Sequence, residues 1–178
     1  MKKVILPFLL LLLLPIFASA NENVFMQEIN SKLTQLASMM GDAYSHEYPD
    51  YRGIQILKNK KEDIIAAAAI FTIEGLSGGN NYTQFIAVFA CLSTESEGRP
   101  RKMSLLDVMA IGGKGIRGIE FKNIKMKQVN RDIFITIPAN EYGPKDAMCC
   151  PSIKSEAQFI FQPDVGGRLK EITKKTKK

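Results

Sequence analysis

Apolar residues recur at helical spacing near the start of the chain. Every third or fourth position is apolar and polar side chains fill the positions between; the apolar set is Phe25, Ile29, Leu33, Leu36 and Met40. This periodicity predicts an amphipathic helix that is capped by Asn21 or Asn23 and ends at Gly41. Because such a stripe must be buried, we expect the helix to pack on one face of a sheet.

Most of the remaining chain follows the period of two that is typical of strands. The predicted strands cover residues 54–57, 64–74, 82–92, 103–111, 116–129, 133–138 and 156–161. The segment 64–74 is apolar at consecutive positions, which predicts a strand that is buried on both faces and pairs antiparallel with 82–92. A change of register at Lys122 and Asn123 is needed to keep the apolar residues of 116–129 inside, so we expect a bulge or bend there.

These elements predict an α+β domain, in which one N-terminal amphipathic helix packs on an antiparallel, mostly meandering sheet of five to seven strands. The sequence shows no repeat of fixed period and no linker that divides it. We therefore expect a single domain over residues 21–168, preceded by a signal peptide at 1–20 and followed by a basic tail at 169–178.

The first 20 residues have the three parts of a secretory signal. Lys2 and Lys3 are followed by an apolar run over residues 4–17 and by an Ala-Ser-Ala cleavage site at 18–20. The apolar run is shorter than the roughly 20 residues of a membrane-spanning helix. We expect cleavage before Asn21, a mature chain without a transmembrane span, and a periplasmic or secreted bacterial protein.

The formal net charge of the chain is +6, and part of the excess lies in the tail. This mild excess in an exported protein gives no argument for a nucleic-acid partner. A solvated end is the expected state of the tail, and contact with anionic lipid or an anionic envelope polymer is the alternative. An envelope protein is a further candidate partner.

One stretch departs from ordinary strand, helix and turn composition. The segment 142–152 contains the candidate binding or structural residues Tyr142, Gly143, Pro144, Asp146, Cys149, Cys150, Pro151 and Ser152. The residues before its two prolines are biased away from helix, which predicts an extended path bounded by turns. A loop aspartate such as Asp146 commonly accepts hydrogen bonds from nearby backbone amides.

The chain has three cysteines, Cys91, Cys149 and Cys150, and an oxidising compartment favours one disulfide with one thiol left over. Cys91 shares a strand face with Phe85, Ala87 and Phe89 and should lie on a packed face. If the loop is extended, the adjacent thiols point in opposite directions and one of them can reach Cys91. The alternative is a bond between Cys149 and Cys150, which would be strained and more easily reduced.

Other motifs give little support for a catalytic, metal or cofactor site. Residues 113–118 match G-x-G-x-x-G, but strand-like alternation follows them, so we expect a turn between strands instead of a nucleotide site. His46 lies beside Glu47 without a second histidine at ligand spacing, which favours a surface loop. No set of nucleophile, base and oxyanion donors can be assembled, and we assign no catalytic residue, metal or cofactor.

The segment 142–152 resembles the Gly-Pro-x-Asp-x-x-Cys-Cys-Pro-Ser segment of uncharacterised bacterial exported proteins, including LppP/LprE-type lipoproteins. The resemblance extends over about the second half of the chain, and its specific motif lies in this one loop. It implies an exported α+β protein of unassigned function. The chain has Asn21 at the expected cleavage point where a lipoprotein has a lipid-attachment cysteine, so membrane anchoring does not carry over.

The sequence thus favours an exported, non-enzymatic binding or envelope-associated module whose sheet face or Cys-Cys loop contacts a partner. The alternative is a thiol-based redox or catalytic protein that uses the pair Cys149 and Cys150.

Overall fold

The computed structural model describes residues 14–92 and 101–172. Over these residues the chain forms one long helix, a short 3-10 helix and ten strands in two sheets. The helices are α1 (Leu14–Met40) and the 3-10 helix Pro49–Tyr51. The first sheet contains β1 (His46–Glu47), β2 (Gly53–Lys58), β3 (Ile64–Glu74), β4 (Tyr82–Leu92) and β5 (Lys102–Gly113). The second sheet contains β6 (Gly118–Ile119), β7 (Lys125–Val129), β8 (Asp132–Glu141), β9 (Ile153–Gln162) and β10 (Arg168–Glu171).

Both sheets are antiparallel and have the same plan. In the first sheet, β3 pairs with β1 and β2 on one side and with β4 on the other, and β5 lies beyond β4. In the second sheet, β8 pairs with β6 and β7 on one side and with β9 on the other, and β10 lies beyond β9. The ladder of β3 and β4 confirms the predicted antiparallel pair.

The two sheets pack face to face around the larger apolar core. The first sheet contributes mainly small and branched residues, Ala66, Ala68, Ile70, Ile86 and Val88. The second sheet contributes larger ones, Ile133, Ile135, Ile137, Phe159 and Phe161. Small residues opposite large ones allow the facing layers to interdigitate at the density of a protein interior.

The opposite face of the first sheet carries α1. The buried stripe of the helix, Phe25, Ile29, Leu33, Leu36 and Ala37, packs against Ala67, Ala69, Phe71, Phe85 and Phe89. Strand β3 is therefore buried on both faces, as predicted, because it lies between the helix layer and the second sheet. The result is three layers in the order helix, sheet, sheet.

The predicted α+β class, with an N-terminal helix on an antiparallel sheet, is confirmed. The sheet under the helix has five strands, within the expected range, whereas the division of the strands between two sheets was not expected. Alternation identifies the buried positions of a strand but not the layer that covers them.

The end of α1 follows the prediction and its beginning does not. The helix ends before Gly41, whose N–H donates to the Ala37 carbonyl at 2.8 Å. The predicted cap at Asn21 or Asn23 is wrong in this chain, because α1 begins at Leu14 and runs through both residues. Amides inside a helix bond to carbonyls of the preceding turn and need no cap.

The predicted signal peptide is only partly within the described residues. Residues 1–13 lie outside them, and residues 14–20 have helical backbone. Over residues 14–92 and 101–172, no helix combines the length and the apolar character needed to cross a membrane.

The region predicted as one strand over 116–129 is interrupted. It forms β6 and β7, and between them Asn123 has a φ of 64°, so the predicted bend is confirmed. The bend packs on the edge of the first sheet at Gly53. A Cβ placed on Gly53 would lie 1.5 Å from the backbone oxygen of Phe121, so the approach of the two sheets at this edge requires glycine.

Strand β10 includes residues that were assigned to the basic tail. Arg168–Glu171 pairs with β9, and the side chain of Leu169 is buried between the sheets. The tail boundary at residue 169 is therefore wrong, and residues 173–178 lie outside the described part of the chain.

Buried polar groups fix the layers relative to one another. Arg52 donates two hydrogen bonds of 2.7 Å to the Glu47 carboxylate, and its guanidinium also donates to the Asn30 carbonyl and the Thr34 hydroxyl at 2.9 Å each. Its side chain is only 4% exposed. This network links α1 to the edge of the first sheet, and nothing in the local sequence pattern predicts it.

Between the sheets, the side chain of Gln84 pairs with the backbone of Ile119. Its Nε2 donates to the Ile119 carbonyl at 2.8 Å, and its Oε1 accepts from the Ile119 N–H at 2.7 Å. At another edge, Asp107 Oδ2 accepts from the Leu169 N–H at 2.7 Å. These contacts join β4 to β6 and β5 to β10.

Candidate functional site

Residues 142–152, here called the Cys loop, connect β8 to β9, and Asp146 closes the base of the loop. The carboxylate accepts hydrogen bonds from the Gly143 N–H at 2.7 Å, the Ser152 N–H at 2.8 Å and the Ser152 hydroxyl at 2.9 Å. The Gly143 N–H, followed by the two Ser152 donors, lowers the pKa of Asp146 from its ordinary value. The expected role of this aspartate in binding backbone amides is confirmed.

The tip of the Cys loop is a turn. The Cys150 N–H donates to the Ala147 carbonyl at 2.9 Å. The predicted extended path is therefore wrong at the tip. Because the backbone turns, the two sulfurs lie together and form the disulfide Cys149–Cys150, with Cα atoms 3.8 Å apart. Both cysteines are exposed.

The Cys loop packs on the glycine-rich segment 113–118, here called the glycine turn, which connects β5 to β6. The Tyr142 hydroxyl accepts from the Gly115 N–H at 3.0 Å and donates to the Met148 carbonyl. A Cβ on Gly115, which has a φ of 76°, would lie 3.2 Å from the terminal methyl of Met148. The structure thus brings together the two motifs that the sequence singled out, and it confirms that the glycine motif is a turn between strands.

On its other side, the glycine turn is attached to the second sheet through Arg117. The guanidinium forms a bidentate ion pair with Glu171 of β10 at 2.5 and 2.9 Å, and its Nε donates to the Ile111 carbonyl at 2.6 Å. It also lies over the Phe159 ring, 5.9 Å from the ring centroid. The Cys loop therefore rests on a turn that is fixed to both sheets.

The predicted disulfide between Cys91 and either Cys149 or Cys150 is wrong, because Cys91 is a free thiol. Cys91 lies opposite Met103, whereas Thr83, at the other end of β4, lies opposite Gly113 at the glycine turn. From residue 83 to residue 91 a strand advances about 26 Å, far beyond the span of a disulfide. Cys91 does pack against the helix-side core, as its strand parity predicted.

Three large apolar side chains are exposed in the Cys loop, in the strand that follows it and in the glycine turn on which it packs. Ile116 of the glycine turn is 62% exposed, Met148 of the Cys loop 64%, and Ile153 at the start of β9 50%. His46, which the sequence predicted in a surface loop, is exposed on the two-residue strand β1. Among the residues that the structure describes, no cluster of three His, Cys, Asp or Glu side chains could hold a metal ion.

A pocket of about 630 Å³ opens between the sheets at the end of β3 and β4 away from the glycine turn. Its apolar wall includes Ile65, Ala66, Ala90, Leu106, Ile133 and Phe161. The hairpin turns of the second sheet line the other side, where Arg131 and Asp164 form an exposed ion pair at 3.1 Å. The sequence features that indicate this pocket are the small residues in its lining, namely Ala66 and Ala90, which pair between β3 and β4, and the Gly166–Gly167 turn.

The outer face of the second sheet has a regular pattern of charge that sequence analysis missed. Lys127 of β7 lies opposite Phe134, Phe134 opposite Ile160, and Ile160 opposite Lys170 of β10. These four residues, here called the basic row, point outward because their neighbours Ile133, Ile135, Phe159, Phe161 and Leu169 are buried inside. Both lysines are exposed, and the two apolar residues between them are half-buried.

Further charges on this face lie around the basic row. Register places three more exposed basic residues on it, Lys125, Lys154 and Arg168. The acidic residues on the same face are Asp132, Glu156 and Glu120, whose N–H donates to the Pro138 carbonyl of β8 at 2.9 Å. Five basic and three acidic side chains give the described part of the face a net charge of +2. The chain matches no known protein-family model, no curated protein and no solved structure.

Proposed function

We propose that the protein is a non-enzymatic, envelope-associated module that binds anionic membrane surfaces through the outer face of the second sheet. The supporting observation is the basic row, in which two apolar side chains are flanked by a lysine on each side across four strands. Export through the predicted signal peptide at residues 1–20 would bring this face to an envelope membrane.

The dimensions of the basic row suit a lipid headgroup layer. Strands lie about 4.8 Å apart, so the backbones of Lys127 and Lys170 are separated by about 14 Å. Phe134 and Ile160 can enter the boundary between headgroups and acyl chains, while the lysine stems lie along the apolar surface and hold the ammonium groups at phosphate level.

Electrostatic attraction adds to the apolar contact. A basic residue close to an anionic membrane contributes about 1 kcal/mol, so a net charge of +2 contributes about 2 kcal/mol. The sequence contains four more lysines, Lys174, Lys175, Lys177 and Lys178, shortly after the end of β10. The resulting binding is reversible and weakens with salt, because screening shortens the range of these interactions.

The proposal is tested by sedimentation with vesicles of phosphatidylcholine containing 30% phosphatidylglycerol, compared with pure phosphatidylcholine. The test variant changes Lys125, Lys127, Arg168 and Lys170 to glutamine. At about 1 kcal/mol for each charge, its affinity for the anionic vesicles should fall at least 100-fold.

A matched control removes the same charge elsewhere, by changing the exposed residues Lys60, Lys61, Lys102 and Lys145 to glutamine. The control should lose less than fivefold in affinity. Equal losses in the two variants, or equal binding to both kinds of vesicle, would show that the face is not a specific binding surface. Deletion of residues 173–178, which leaves β10 intact, distinguishes binding by the tail from binding by the sheet face. If that deletion alone abolishes binding, the proposal for the sheet face is wrong.

A further inference from the structure

We propose that the disulfide Cys149–Cys150 is a redox site that exchanges electrons with external dithiols while the protein remains folded. The inference is independent of membrane binding, since it depends only on the Cys loop and its contacts.

The disulfide is poorly suited to stabilise the fold. In the chain-entropy account, a disulfide stabilises by closing a loop in the unfolded chain, and the gain grows with the number of residues enclosed. Cys149 and Cys150 are adjacent in sequence, so their bond encloses no loop of other residues.

The shape of the Cys loop is held by groups other than the sulfurs. Asp146 joins Gly143 to Ser152, on either side of the cysteine pair, and Tyr142 joins Met148 to the glycine turn. The loop can therefore keep its position when the sulfur bond is broken. This frame also keeps the two thiols close together, so that re-oxidation is an intramolecular reaction.

The disulfide is both accessible and easily broken. The two cysteines are exposed, so a thiolate can approach either sulfur. Because the two cysteines are adjacent, the peptide bond between them keeps their Cα atoms 3.8 Å apart, as in any neighbouring pair. This separation is below the usual range of about 4.4–6.8 Å, and disulfides outside that range are more readily reduced.

The reaction is a thiol–disulfide exchange of two electrons. A thiolate of the dithiol attacks one sulfur of the pair, the Cys149–Cys150 bond breaks, and the other sulfur leaves as a thiolate and takes a proton from water. The second thiol of the reductant then attacks the mixed disulfide and releases the first cysteine, which is protonated in turn. The products are two protein thiols and the disulfide of the reductant, and the reverse sequence oxidises the protein.

The experiment uses the full chain with Cys91→Ser, so that only the pair can react. The folded protein is equilibrated with dithiothreitol at graded ratios of the reduced to the oxidised form, quenched with acid, alkylated and weighed by mass spectrometry. In native buffer we expect the mass of the reduced protein to increase by two alkyl groups. Half-reduction should occur at a ratio of reduced to oxidised dithiothreitol at least tenfold lower than the ratio that half-reduces a structural disulfide enclosing a long loop in a reference protein. The pair should re-form with oxidised dithiothreitol.

Two further measurements distinguish a redox site from a structural bond. The oxidised and reduced forms should unfold within about 1 °C of each other, because the bond encloses no long loop. Asp146→Asn should slow re-formation of the bond about fivefold by loosening the frame, whereas Asp50→Asn, an exposed aspartate on the 3-10 helix, should leave the rate unchanged.

Reduction that requires denaturant, a pair that stays reduced in oxidised dithiothreitol, or a large fall in stability on reduction would each overturn the proposal. Vesicle binding, measured on both forms, should be equal, so failure of the redox proposal leaves the membrane proposal intact and the reverse also holds.

Discussion

Gln84 provides a sharp test of how the two sheets are joined. Its side chain is 7% exposed. The amide accepts a hydrogen bond from the Ile119 N–H at 2.7 Å and donates one to the Ile119 carbonyl at 2.8 Å. The amide thus behaves like one step of a ladder between β4 and β6, which belong to different sheets. We consider Gln84→Leu, which keeps the volume of the side chain and removes both hydrogen bonds.

The expected cost follows from the two groups left without partners. Ile119 is 5% exposed, so its N–H and carbonyl are shielded from water. An unsatisfied buried polar group costs about 1–3 kcal/mol, and the apolar leucine recovers a part through burial. The free energy of unfolding should therefore fall by about 3 kcal/mol.

Unfolding in urea, followed by far-UV circular dichroism, measures this change, since the chain has no tryptophan. With a slope of about 2 kcal/mol per molar urea, the midpoint should fall by about 1.5 M at unchanged slope. Gln55→Leu is the control, because Gln55 is exposed and its amide donates to the adjacent Ile56 carbonyl. It should change stability by less than about 0.5 kcal/mol.

Gln84→Glu separates hydrogen bonding from packing. At neutral pH the carboxylate still accepts from the Ile119 N–H but opposes the Ile119 carbonyl, so the pKa of the introduced carboxyl should rise above its unfolded value of about 4.3. Because the carboxyl pKa is raised in the folded state, the free energy of unfolding of this variant should be highest below about pH 4 and should fall as the pH rises through the folded pKa. A leucine variant within 0.5 kcal/mol of wild type, or a glutamate variant equally destabilised at pH 4 and pH 7, would refute the reasoning.

Two further predictions concern a steric contact and a titrating group. Gly53→Ala should lower the free energy of unfolding by about 3 kcal/mol, because the new methyl would lie 1.5 Å from the Phe121 oxygen; in the same urea assay Gly78→Ala, at an open site with a φ of 80°, should cost only about 1 kcal/mol. Asp146→Asn should destabilise the protein equally from pH 5 to pH 7, and the difference should shrink as the pH falls below the ordinary value of 3.8 and through the lowered folded pKa of Asp146. A difference that persists unchanged at pH 2 would show that the carboxylate charge is not what holds the Cys loop.

The features that sequence predicts well are those with local causes. The apolar stripe of α1 and its end at Gly41 follow from helical periodicity and from glycine at the terminus. The alternation of Ile133, Ile135 and Ile137 locates β8 in the same way. The bend at Asn123 was predictable because two parities of apolar residues had to face one core.

The features that were missed depend on contacts between distant segments. Strand β10 contains one buried apolar residue, Leu169, so it has no alternation of its own and is defined by pairing with β9. Arg52 resembles any loop arginine until α1 brings Asn30 and Thr34 beside it. The basic row is likewise invisible along the chain, because each of its residues comes from a different strand.

Of the two pairings that the sequence left open, the bond between Cys149 and Cys150 is present, and the bond to Cys91 is wrong for a local and a distant reason. Locally, the Ala147 carbonyl and the Cys150 N–H close a turn where proline favoured an extended path. At a distance, the length of β4 places Cys91 at the end of the sheet away from the glycine turn. Parity along a strand identified the face of Cys91 correctly, but it carries no information about which end of the sheet lies near the loop.

The candidate redox site and the junction between the sheets are parts of one connected structure. The glycine turn contains Arg117, which binds Glu171 of the second sheet, and it leads into Ile119, which Gln84 of the first sheet holds by two hydrogen bonds. The same turn offers the Gly115 N–H to Tyr142 of the Cys loop. Apolar packing between sheets is non-directional, so these polar contacts set the position of the turn and, through it, the position of the disulfide.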